Sequence, residues 1–135
     1  MMKYKRIFIS GGAGVIGREL VYFLNKEGFK ILIGDLKPKP IDFANDIIYR
    51  KGDLNLITKN EIEEFQPDIF FHLAATFERT SETYDFWNES YHSNIKLTHH
   101  LMNLVKNIPT IKRVVFASSY LVYNPTLYLF SAPQN

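Results

Sequence analysis

The chain has 135 residues, of which 46% are hydrophobic, and it carries a formal net charge of +2. This length suits a single domain with a real core, and so small a charge, with no polybasic run, argues against nucleic-acid binding. The chain contains no cysteine, which excludes disulfides and thiolate metal sites, and no apolar stretch long enough to span a bilayer, so we expect a cytoplasmic protein.

The first feature along the chain is a short apolar strand, Ile7 to Ile9, followed by a glycine-rich turn. Apolar residues then recur at helical spacing, which predicts a helix over residues 14–27 that stops at Gly28. The glycines fit two patterns, Gly12-Gly14-Gly17 and Gly11-Gly14-Gly17. Both patterns permit a tight turn that brings a helix N-terminus close to a pyrophosphate. The alternative is a structural turn without a ligand.

A second strand is predicted over residues 30–34, and it ends at Asp35, which follows Gly14 by 21 positions. An acid at this distance, at the tip of the second strand, accepts hydrogen bonds from the adenosine ribose in dinucleotide-binding units. A 2′-phosphate would face the carboxylate at a cost of roughly 1–4 kcal/mol, so the pattern favours NAD over NADP. Lys37 softens that preference, and an ordinary turn aspartate is the alternative.

The middle of the chain predicts a loop over residues 37–40, a short strand over residues 46–50 and a turn over residues 52–54. Thr58 and Glu61 have capping-box spacing, which predicts a short helix that reaches Phe65. Residues 69–73 form an almost continuously apolar run, typical of a strand covered on both faces. Within it, His72 is interpreted as a neutral, hydrogen-bonded core histidine.

A long helix is predicted to begin at about Tyr84 and to reach Lys106, because apolar residues recur there at steps of three and four. Its histidines lack the spacing of a zinc site, so we expect no bound metal. A fifth strand over residues 113–117 leads to Ser118 and Ser119. The alternation of strands and helices predicts a doubly wound α/β fold with a parallel sheet in the order 3-2-1-4-5. The ligand is expected where that order reverses, at the carboxyl ends of strands 1 and 4.

With these residues in place, residues 5–123 resemble the N-terminal part of the extended short-chain dehydrogenase/reductases. This is the group of NAD-dependent nucleotide-sugar epimerases and dehydratases. The segment SGGAGVIG from Ser10 is similar to the family's glycine fingerprint, and Asp53-Leu54 to its adenine-contacting pair. Three further family motifs have similar segments in this chain: HLAA from His72, NIKLT from Asn94 and SSYLVY from Ser118. In the second of these segments Leu97 stands in place of a glycine. The resemblance implies NAD as cofactor and these cofactor-binding residues: Gly11, Gly14, Val15, Ile16, Gly17, Asp35, Asp53, Leu54, Leu73, Ala74, Ala75 and Asn94.

The resemblance also implies that Ser119 hydrogen-bonds the reacting hydroxyl or carbonyl group of a sugar nucleotide. The family's Tyr-x-x-x-Lys pair is expected about 25 residues later, but the sequence ends at Asn135, and its one such pair, Tyr22 and Lys26, lies on the first predicted helix. Residues 1–135 are therefore interpreted as an NAD-binding domain without the substrate-binding part. The alternatives are a non-catalytic NAD-binding module and an inactive truncated remnant.

Two expectations follow for the isolated chain. We expect it to bind NAD more weakly than complete family members do and to show no turnover, since the general base is missing. We also expect self-association, because the fifth strand forms a sheet edge and the family dimerises through the long helix.

Overall fold

The computed structural model describes residues 4–75 and 84–118. Five strands lie in this part of the chain: β1 (Arg6–Ser10), β2 (Lys30–Asp35), β3 (Ile48–Lys51), β4 (Ile69–His72) and β5 (Arg113–Phe116). Three α-helices accompany them: α1 (Val15–Lys26), α2 (Lys59–Phe65) and α3 (Tyr84–Val105). A short 3-10 helix, Leu54–Leu56, follows β3. The sequence predicts all of these elements except the 3-10 helix, in whose place it predicts only a turn.

All four strand pairs are parallel, and the strands lie in the order β3-β2-β1-β4-β5. The predicted fold class and sheet order are therefore confirmed. The register pairs Ser10, at the end of β1, with Gly34 on one side and with His72 on the other. Because parallel strands end at one edge of a sheet, the turns that follow β1, β2 and β4 lie beside one another.

The sheet is covered on both faces, and alternate residues of each strand point to opposite faces. On one face Phe8, Leu32 and Phe70 pack in a cluster with Leu101 and Val105 of α3. The rings of Phe8 and Phe70 stack there with their centroids 4.9 Å apart. On the other face Ile7, Ile9, Ile31 and Ile33 pack against Val21 and Leu24 of α1. This two-sided burial explains why the central strands are continuously apolar.

Most element ends lie within one or two residues of their predicted positions, and local chemistry explains them. Gly28 follows α1 with φ of 90°, in the left-handed region that glycine adopts without strain. Both hydrogen bonds of the capping box between Thr58 and Glu61 are present at the start of α2. β3 begins at Ile48 and runs to Lys51, so it starts and ends later than the predicted residues 46–50. In the described residues no helix combines the length and the apolar character that crossing a bilayer requires.

Candidate functional site

The glycine turn between β1 and α1 is held tightly against the end of β4. Gly11 has φ of 82°, and a Cβ atom on it would lie 2.7 Å from the backbone nitrogen of Ala74. A Cβ atom on Gly17 would collide with the carbonyl oxygen of Gly11 and would lie 2.8 Å from Cα of Gly12. Because these neighbours are backbone atoms, Gly11 and Gly17 are required by the fold itself.

Gly14 is different, because nothing in its protein surroundings demands a glycine. Its φ of −76° and ψ of −179° suit any residue, and a Cβ atom there would meet only the carbonyl oxygen of Gly11, at an ordinary 3.5 Å. Gly14 is the N-cap of α1, and no side chain caps this helix within the described residues. The open space above Gly14 therefore faces a helix N-terminus with uncapped N–H groups, which suits an anionic ligand.

Asp35, at the end of β2, connects its strand to the glycine turn. Its Oδ2 accepts a hydrogen bond of 3.0 Å from the backbone N–H of Ala13, and its Oδ1 accepts one of 2.9 Å from the N–H of Lys37. Each carboxylate oxygen keeps a second acceptor position, so the side chain can still receive ligand hydroxyl groups. Burial and the charge of Asp35 raise the pKa of nearby Tyr49 to about 12, and the Tyr49 hydroxyl donates to the carbonyl of Lys37 at 2.6 Å.

Asp53 and Leu54 begin the 3-10 helix after β3. Asp53 is its N-cap, with Oδ1 accepting from the backbone N–H of Asn55. The pKa of Asp53 is lowered most by the hydrogen bond from the backbone N–H of Asn55 and next by the hydrogen bond from the Asn55 side chain. Leu54 is buried, and a Cβ atom on Gly34 would collide with it. Gly34 therefore lets the Leu54 side chain close over the end of β2.

A buried hydrogen-bonded chain runs through the end of β4. Ser10 Oγ accepts from the backbone N–H groups of Leu73 and Ala74 at 3.1 and 3.3 Å. Since both acceptor positions of the hydroxyl are then used, its proton is donated to His72 Nδ1, 2.6 Å away. His72 must therefore carry its own proton on Nε2, which donates to Thr98 Oγ1 of α3 at 2.8 Å.

Burial lowers the pKa of His72, in keeping with the neutral tautomer that these bonds require. The interpretation of His72 as a neutral core histidine is thus confirmed. The chain of bonds joins β1, β4 and α3 directly below the segment that carries Leu73 and Ala74. Each of these positions is fixed by the fold rather than by a ligand.

These elements surround a cleft of about 220 Å³ at the carboxyl ends of β1, β2 and β4. Nine of the twelve residues predicted to bind a cofactor line it: Gly11, Gly14, Asp35, Asp53, Leu54, Leu73, Ala74, Ala75 and Asn94. The other three do not line it. Val15 and Ile16 are exposed at the start of α1, and Gly17 is buried beneath the turn.

Five further residues line the cleft that are not among the twelve predicted to bind the cofactor: Leu36, Lys37, Asn55, Ser93 and Leu97. The sequence analysis names Lys37 for its effect on the preference for NAD and Leu97 as a departure from a motif. Helical periodicity could have placed Ser93 beside Leu97 on one face of α3. A second cavity of about 170 Å³ shares Leu73 to Ala75 and Asn94, and it extends toward Phe116 and Ala117 at the end of β5. Ser119, the predicted catalytic serine, lies outside the described residues.

The histidines of α3 do not form a metal site in the described part of the chain, where no group of three or more potential ligands comes together. His100 Nε2 lies 3.0 Å from the carbonyl of Ile57, and His99 Nε2 lies 2.9 Å from Asn103 Nδ2. These hydrogen bonds give both side chains structural roles on the helix surface.

Comparison with known proteins adds the family context. The sequence model that describes the NAD dependent epimerase/dehydratase family matches residues 7–131 of this chain. A CDP-glucose 4,6-dehydratase from Salmonella typhimurium is 30% identical over 97% of this chain and 39% of its own length. A dTDP-D-glucose 4,6-dehydratase from Dictyostelium discoideum is 27% identical over 91% of this chain and 31% of its own length.

Among solved structures, a UDP-glucose 4-epimerase from Brucella ovis, crystallised with NAD, superposes with a TM-score of 0.75. It is 23% identical and covers 89% of this chain and 37% of its own, so this likeness concerns the fold. The chain spans less than two-fifths of the length of each of these three proteins.

Proposed function

We propose that this chain, which belongs to the NAD dependent epimerase/dehydratase family, binds NAD across the carboxyl ends of β1 and β4 and forms the cofactor-binding portion of an enzyme acting on a nucleotide sugar. The observation that supports this most is the convergence of nine predicted residues on one cleft. They come from the turns after β1, β2 and β4, from the segment after β3 and from α3. Strand ends meet in any parallel sheet of this order, but a turn with only a structural role would not need the open space above Gly14 beside the uncapped start of α1.

The residues present suit a dinucleotide. The open space above Gly14 and the uncapped start of α1 suit the pyrophosphate, and Asp35 suits the adenosine ribose. The proposal places the adenine between Asp53, Leu54 and α3. Leu73 to Ala75 and Asn94 line both cavities, so they are placed where the cofactor passes toward β5.

When bound, NAD supplies a site that accepts or donates hydride. The contribution of this chain is to hold the cofactor in one orientation and to exclude water from its buried face. Ser119 is proposed to hydrogen-bond the reacting oxygen of the substrate. Residues 1–135 are proposed to act as the NAD-binding domain, with the sugar nucleotide as the substrate class.

The direct test is titration calorimetry of the purified protein with NAD, together with Gly14→Val and Asp35→Ala variants. We expect the protein to bind NAD and both variants to lose most of that binding, because one blocks the pyrophosphate position and the other removes the ribose acceptor. A folded protein that does not bind NAD would refute the proposal. Binding that neither substitution weakens would place the cofactor elsewhere.

We further propose that α3 forms a homodimer interface and that the protein is cytoplasmic. On α3, Ile95 is 49% exposed and lies beside a surface cavity shared with Phe116 of β5. Sedimentation analysis is expected to show a dimer that Ile95→Glu weakens. A monomer at all concentrations would contradict the dimer.

A further inference from the structure

The side chain of Asn55 is directed at the carboxylate of Asp53. Asp53 Oδ1 accepts two hydrogen bonds, one of 2.9 Å from the backbone N–H of Asn55 and one of 3.0 Å from its side-chain Nδ2. Both residues line the cleft. Two donors on one oxygen fix the rotation of the carboxylate, and they leave Oδ2 without a hydrogen bond inside the described part of the chain.

The backbone of Asp53 is held as firmly as its side chain. Arg50 donates from Nη1 to the Asp53 carbonyl at 3.0 Å, and its Nε is paired with Glu61 of α2 at 3.2 Å. The charge of Lys96 on α3 also helps to lower the pKa of Asp53. Asp53 is exposed, yet hydrogen bonds from Arg50 and Asn55 hold its backbone and its side chain.

The arrangement leaves one polar atom unsatisfied. Asn55 Oδ1 is buried and has no hydrogen-bond partner within the described residues, a situation that ordinarily costs about 1–3 kcal/mol. Rotating the amide by half a turn would place this oxygen against the carboxylate oxygen of Asp53, so Asp53 itself determines the orientation of the amide. A leucine of nearly the same shape would lose one exposed hydrogen bond to Asp53 but would also remove the unsatisfied buried atom, so folding stability alone does not explain the asparagine.

We propose that Asn55 is a positioning residue that orients the Asp53 carboxylate so that Oδ2 accepts a hydrogen bond from the exocyclic amino group of adenine. This inference rests on the proposed function, since it assumes that NAD occupies the cleft. A carboxylate pairs with an amino donor and repels a carbonyl oxygen. The site therefore discriminates adenine from hypoxanthine, in which an oxo group replaces that amino group.

The test measures affinity for NAD and for nicotinamide hypoxanthine dinucleotide in the protein and in Asn55→Leu. We expect the unmodified protein to prefer NAD by about tenfold or more, the range of a hydrogen bond to a charged group. In Asn55→Leu we expect this preference to fall to about threefold or less, because the backbone N–H alone no longer fixes the carboxylate. The midpoint of urea unfolding should change little, because removal of the unsatisfied oxygen offsets the loss of the exposed hydrogen bond to Asp53.

Two further variants complete the experiment. Asp53→Asn should lose the preference as well, and Asn60→Leu, an exposed asparagine of α2 outside the cleft, should keep it. If Asn55→Leu keeps the full preference, or loses affinity for both dinucleotides equally, the positioning role is refuted. If the unmodified protein binds NAD without any preference for adenine, the inference fails while the proposed function stands. If it binds neither dinucleotide, both fail.

Discussion

Gly14 and Gly17 lie three residues apart in the same turn, but the structure gives them opposite roles. An alanine Cβ at Gly17 would overlap backbone atoms of Gly11 and Gly12, which cannot move without shifting the turn. An alanine Cβ at Gly14 would meet one carbonyl oxygen at 3.5 Å and otherwise the open cleft. We therefore expect Gly17→Ala to reduce stability and Gly14→Ala to reduce cofactor binding.

The magnitudes follow from these contacts. Forcing a methyl group into a packed site costs about 1–3 kcal/mol, so Gly17→Ala should lower the Tm by several degrees, at roughly 4 °C per kcal/mol for a domain of this size. For Gly14→Ala, the loss of an N-cap glycine and the reduced entropy of the unfolded chain are each below about 1 kcal/mol and opposite in sign. Its stability should be nearly unchanged. The same methyl group facing a bound pyrophosphate should weaken NAD binding by roughly 5- to 150-fold.

Thermal unfolding followed by circular dichroism gives the stability of each variant, and calorimetry gives its affinity for NAD. A Gly14→Ala variant that binds NAD as tightly as the unmodified protein would refute the assignment of this space to the pyrophosphate. A Gly17→Ala variant with an unchanged Tm would show that the turn relaxes more easily than its contacts indicate.

Three other predictions concern charge, titration and capping. NADP should bind about 5- to 1000-fold more weakly than NAD because its 2′-phosphate faces Asp35, and equal Kd values from calorimetry would contradict this. The free energy of urea unfolding should be constant above about pH 6.5 and should fall below about pH 6.5. The reason is that His72 binds a proton in the unfolded chain, whereas its lowered pKa keeps it neutral in the folded state. A free energy that does not change between pH 7 and 5 would contradict this prediction. Thr58→Ala should cost about 1 kcal/mol of stability because it removes the N-cap of α2, whereas Thr58→Ser should cost little. If the two variants unfold at similar urea concentrations, the Thr58 hydroxyl does not stabilise the helix as an N-cap.

The sheet order and part of the cleft, namely the glycine turn, Asp35 and the end of β4, could be predicted from local patterns. Apolar runs mark strands that are covered on both faces, and the carboxyl ends of parallel strands necessarily meet. Asp35 was recognisable from its distance to the glycines. Asp53, Leu54 and Asn94 were predicted only through the resemblance to the family.

The remaining features depend on tertiary contacts that no local pattern encodes. The proton positions of the Ser10–His72–Thr98 chain follow only from the backbone N–H groups of Leu73 and Ala74, which lie more than sixty positions from Ser10. In the sequence Asn55 is an ordinary turn residue, and only the structure shows that its side-chain amide donates a hydrogen bond to Asp53. The distinction between Gly14 and Gly17 likewise requires the positions of Gly11 and Gly12 in space.

The most direct test of dinucleotide binding at the strand ends is NMR of the ¹⁵N-labelled protein during titration with NAD. We predict that the perturbed amides cluster at the glycine turn, at Asp35, at residues 53–55 and 73–75, and at Ser93, Asn94 and Leu97 of α3, which line the cleft. Perturbations concentrated instead at residues 102–114, where another surface cavity lies, or no saturable perturbation at all, would contradict it.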